Sequence, residues 1–64
     1  MKVKELVREL ERLGWTLERI RGSHHVFRHE KASRPMVVPV HGSDIPEIWA
    51  REILKQAARA LREG

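Results

Sequence analysis

Val3, Leu6, Val7, Leu10 and Leu13 recur at the i, i+3, i+4, i+7 spacing that lines one helix face, and Gly14 stands where a C-terminal cap belongs. From Trp15 the period shortens. Trp15 and Leu17 alternate with Thr16 and Glu18, after which Ile20 falls on the opposite phase, so this first strand is expected to carry a bulge. Gly22-Ser23 predicts a tight connection into a second strand from His24 to His29. Glu30 to Pro35 reads as a polar loop, and Met36 to Val40 as a short third strand in which Pro39 suggests an edge or a bulge. His41-Gly42-Ser43 closes it. A last helix is expected to be capped by Ser43 or Asp44, with Pro46 in its first turn. Ile45, Ile48, Trp49, Ile53, Ala57, Ala60 and Leu61 would line its apolar face, so Trp15 and Trp49 are both assigned to the core.

The order helix, three strands, helix predicts an α+β fold, with residues 1–64 as one small domain. Its sheet would be a three-stranded antiparallel meander with both helices on one face and the other face open. A chain of 64 residues has no room for a second domain or a deep enclosed pocket, so any chemistry belongs on an open surface suited to a polymeric substrate. The absence of cysteine excludes disulfides and thiolate metal sites and is compatible with a reducing compartment. The N-terminal residues enter the amphipathic pattern directly, with no apolar signal core and no span near ~20 apolar residues, so a soluble cytoplasmic protein without membrane association is expected.

Charge becomes informative once it is located. The formal net charge is +4. Lys2, Lys4, Arg8 and Arg12 are balanced by Glu5, Glu9, Glu11 and Glu18, and Arg51, Lys55, Arg59 and Arg62 by Asp44, Glu47, Glu52 and Glu63. The excess lies between them, where Arg19, Arg21, Arg28, Lys31 and Arg34 face only Glu30, which centres the attraction for a polyanion there. Arg51, Lys55 and Arg59 form an i, i+4, i+8 row that reads first as a solvated face and second as a grip on another phosphate stretch.

Four histidines, His24, His25, His29 and His41, are the residues with chemistry to offer. Metal binding does not suit their spacing: adjacent His24 and His25 point to opposite strand faces, and His25 and His29 stand about 13 Å apart at ~3.3 Å per residue. Neither a metal nor another cofactor is expected. Acid/base work suits them better, because imidazole exchanges protons near neutral pH, and the 2′-hydroxyl of RNA can attack its own phosphate given only proton transfer and charge stabilisation. Gly22 would let the backbone approach a phosphate, Ser23 could donate to it, and Arg28 would share the face of His24. Arg19 or Arg21 would stabilise transition-state charge from the neighbouring strand. His25 and His29 alternate with Phe27 and read as structural. The residues alone are equally compatible with a non-catalytic RNA-binding module or with a basic surface that meets an acidic partner.

Taken in order, the amphipathic helix, Gly14-Trp15, the Arg-rich strand, Gly22-Ser23-His24-His25-Val26-Phe27-Arg28-His29, Val38-Pro39-Val40-His41 and Ile53-Leu54-Lys55-Gln56-Ala57 resemble the HicA-type toxins, also called YcfA-like proteins. The resemblance covers nearly the entire chain. It implies a fold like the double-stranded-RNA-binding domain, an mRNA-cleaving endoribonuclease activity within a type II toxin–antitoxin system, and a HicB-type antitoxin partner that covers the active surface. It also implies that His24, the histidine directly after Gly-Ser, is the catalytic residue, presented by Gly22 and Ser23. Arg19, Arg21, Arg28, Lys31 and Arg34 complete the expected RNA-binding set.

Overall fold

The first helix, α1 (Val3–Arg12), ends as its glycine dictates. Gly14 adopts φ +97°, its N–H donates to the Glu11 carbonyl at 2.9 Å, and the Trp15 N–H donates to the Leu10 carbonyl at 3.0 Å. This pair of bonds is a Schellman closure, and it turns Trp15 back onto Leu10, both of them buried in the core.

A computed structural model describes residues 1–63. After α1 come β1 (Thr16–Arg21), β2 (His24–Arg28), β3 (Met36–Pro39) and α2 (Glu47–Glu63), the predicted order. The strands form one antiparallel sheet in the order β1-β2-β3. Phe27, Met36 and Val38 enter a core shared with Leu6 and Leu10 of α1 and Ala50 and Ala57 of α2, so both helices cover the same sheet face.

The expected irregularity in β1 is present. Leu17 pairs with Phe27 and Arg19 with Val26, leaving Glu18 as the extra residue of a bulge. Beyond it Ile20 pairs with His25 and so returns to the phase of Leu17, although it remains 55% exposed. Were the alternation from Leu17 unbroken by the bulge, Arg19 and Arg21 would turn toward the helices.

The entry to α2 differs from the expected cap. Ser43 and Asp44 are engaged with the chain start instead: Lys2 and Asp44 form an antiparallel bridge, the Val3 N–H donates to the Ser43 carbonyl at 2.9 Å, and the Ile45 N–H donates to the Met1 carbonyl at 2.8 Å. The first helical bond of α2 therefore runs from the Ala50 N–H to the Pro46 carbonyl, and the helix begins at Glu47. With Ala50, Ile53, Leu54 and Ala57 facing inward, Ile48 lies roughly 160° and Trp49 roughly 100° around the helix from Ala50. Both leave the core, at 73% and 53% exposure, contrary to the sequence expectation.

Candidate nucleic-acid interface

The sheet register decides which side chains meet on the open face. Arg21 pairs with His24, and His24 pairs on its other side with Pro39. The next row on the same face is Arg19, Val26 and Val37, and the row beyond it brings Thr16 opposite Arg28. His24 is exposed, and among the described residues its imidazole is held by no hydrogen bond or ion pair.

The turn presenting His24 has two residues. Gly22 takes φ +57°, and Ser23, like every non-glycine residue described, has a negative φ. That sequence of signs is a type II′ turn, whose twist matches an antiparallel hairpin and whose first central position suits glycine. A Cβ on Gly22 would meet nothing within 4 Å, so the side of the turn is open to an approaching backbone.

The basic residues expected around His24 divide into three groups. Arg19 and Arg21 stand beside it on the sheet. Arg28 shares its face but lies four residues away, about 13 Å along the strand, where its guanidinium is ion-paired with the bulge residue Glu18. Lys31 lines a shallow 440 Å³ depression with Gly14, Thr16, Arg28 and His29. Arg34 lies elsewhere again, in an open groove of 890 Å³ between the β2–β3 loop and α2, with Lys55 and Arg59 on the helix side and Glu52 the one carboxylate among the described residues that line it. The register thus sets Arg19 and Arg21 beside Gly22, Ser23 and His24, and it puts Arg28, expected in the cradle on the same face, at the far end of that face; Lys31 and Arg34 of the wider basic set lie in the β2–β3 loop.

The other imidazoles are placed differently. His25 faces the helices and is half-buried, with Nδ1 enclosed. His29 is a clamp: its Nε2–H donates to the Leu13 carbonyl at 2.8 Å, its Nδ1 accepts the Lys31 N–H at 3.0 Å, and its ring meets Trp15 edge-on at 5.3 Å. His41 is exposed and comes to the hairpin end, because the β2·β3 pairing continues beyond the strand through the Val40 N–H, which donates to the Ser23 carbonyl at 2.6 Å. By sequence His41 belongs to the loop that closes β3. The available signal was the phase of Val38 and Val40, which puts Pro39 and His41 together on the other face.

No helix among the described residues is long and apolar enough to cross a membrane. No curated protein matches the chain. The family model described as the HicA toxin of bacterial toxin-antitoxin matches residues 3–58, most of the chain and every element from α1 to the middle of α2. With the helix–sheet–helix order and the Gly-Ser-His hairpin as that resemblance implied them, the chain belongs to the HicA toxins of bacterial toxin–antitoxin systems.

Proposed function

We propose that the protein is the toxin of a type II module, a cytoplasmic, metal-independent endoribonuclease in which residues 1–64 act as one HicA-like domain and His24 transfers a proton during cleavage of mRNA. The observation that carries this reading is the position of His24: an unengaged imidazole at a glycine turn, directly across from Arg21 on the open sheet face. Imidazole supplies proton transfer worth roughly 10²- to 10⁴-fold, and a neighbouring guanidinium stabilises the charge that builds on the phosphate. Arg19 and Arg21 hold the reacting phosphate, while Arg28, Lys31 and the Arg34, Lys55, Arg59 groove bind backbone further along a long RNA. A HicB-type antitoxin neutralises the toxin by covering this face.

Incubation of purified protein with mRNA in EDTA, beside a His24→Ala variant of equal thermal stability, tests the reading. New RNA ends are expected from the parent protein and none from the variant. Equal cleavage by both would remove His24 from the mechanism. Salt-sensitive binding with no new ends from either protein would leave a non-catalytic RNA-binding module.

A further inference from the structure

We infer that His41 is a second proton-transfer group, flanking the same phosphate as His24. The inference rests on the nuclease reading above but concerns a residue that reading does not use. Attack by a 2′-hydroxyl requires one group to accept its proton and another to protonate the 5′-oxygen that leaves. A single imidazole on an open surface leaves one of these transfers to water.

The backbone puts His41 where the second group belongs. In β3 the side chains alternate inward and outward: Met36 and Val38 are buried, Val37 and Pro39 exposed. The alternation runs on past the strand, since Val40 packs against the core and its N–H continues the pairing to Ser23. His41 therefore returns to the face of Pro39, the direct partner of His24. Residues related in this way, one opposite and two along, are diagonal neighbours with Cα atoms roughly 7–8 Å apart, a span that long and aromatic side chains bridge.

The segment carrying His41 is fixed at both ends. Val40 is tied to the hairpin, and Ser43 is tied to Val3 with Gly42 turning between them at φ +79°. The other histidines are excluded by position, His25 beneath the helices and His29 clamped between Leu13 and Lys31. The arrangement thus offers two exposed imidazoles on one face at one end of the sheet.

The step balances without a co-reactant. One imidazole accepts the 2′-hydroxyl proton as that oxygen bonds to phosphorus. The other gives its proton to the 5′-oxygen as the phosphorus–oxygen bond breaks, leaving a 2′,3′-cyclic phosphate and a 5′-hydroxyl.

The test compares an RNA with its natural 5′-oxygen linkage at the mapped cleavage site and the same RNA with sulfur as the bridging 5′ atom. Sulfur leaves without being protonated, so it removes the need for the acid and not for the base. His41→Ala and His41→Gln are expected to cleave the oxygen-linked RNA about 10²-fold more slowly than the parent protein. Sulfur is expected to restore one of the two variants, His41→Ala or His24→Ala, to near the parent rate, and to leave the other slow. Undiminished cleavage by both His41 variants would overturn the inference while leaving the nuclease reading intact. So would rescue of both histidine variants by sulfur, or of neither. If the parent protein cleaves neither substrate, the nuclease reading and this inference fall together.

Discussion

Arg21 and His24 are cross-strand partners joined by only two residues, so the guanidinium and the imidazole are held on one face by the tightest connection the hairpin allows. Replacing Arg21 with Gln is expected to slow RNA cleavage about 10- to 100-fold, somewhat less than loss of an enclosed oxyanion donor because the site is open to water. Arg21 is exposed, so the thermal midpoint should stay near that of the parent. Single-turnover cleavage and a thermal melt on the same preparation check both halves.

Two glycines with positive φ should respond unequally to alanine. Gly22→Ala places a Cβ in open space and meets only the left-handed backbone penalty, about 1–2 kcal/mol. Gly14→Ala adds an overlap, since its Cβ would stand 2.6 Å from the His29 Nε2. The loss there should reach about 3 kcal/mol or more. In a His29→Ala background the overlap disappears, and the Gly14→Ala effect should shrink toward that of Gly22→Ala. Urea denaturation of the four variants measures the coupling.

The Glu18–Arg28 ion pair is a competitor for phosphate rather than a support for the fold. Both side chains are substantially exposed, at 36% and 59%, so Glu18→Gln should change stability by less than about 1 kcal/mol. It should release Arg28 to the RNA backbone, raise affinity, and steepen the dependence of log K on log salt by about 0.7 for a single strand. Fluorescence anisotropy with a His24→Ala protein, to prevent cleavage, reads this directly.

The groove on the helix side makes an opposite forecast. None of Arg34, Lys55 and Arg59 is ion-paired among the described side chains. Replacing Lys55 and Arg59 together with Gln should reduce the salt slope for a long single-stranded RNA by about 1.4. A short oligonucleotide that reaches only one contact region should show a smaller change. An unaltered slope for the long RNA would assign these cations to solvent.

Local rules made much of this fold readable. The spacing of Val3, Leu6, Val7 and Leu10 with Gly14 behind it defines α1, and the phase slip between Leu17 and Ile20 marks the bulge, because both depend on near neighbours in the chain. The phase of α2 was harder to read, since Ile48 and Trp49 are as apolar as the residues that face inward and only packing against the sheet selects Ala50, Ile53, Leu54 and Ala57, which turns Ile48 and Trp49 outward. The site divides the same way. His24 and its glycine turn are a local motif, and the partnership of Arg19 and Arg21 with it follows from a hairpin. The distance of Arg28 from His24 is likewise set within one strand, whereas the place of Arg34 and the arrival of His41 require knowing how α2 and β3 lie against the hairpin.

The extra residue at Glu18 also bears on which changes in chain length this protein can absorb. Its removal would bring Leu17, Arg19, Ile20 and Arg21 into plain alternation, with the two arginines still on the open face and Ile20 still on the helix side, whereas one residue lost from the regular strand β2 would exchange its inward and outward positions. Length variation among related chains is better accommodated between His29 and Met36, where an insertion lengthens a surface connection without altering what the hairpin displays.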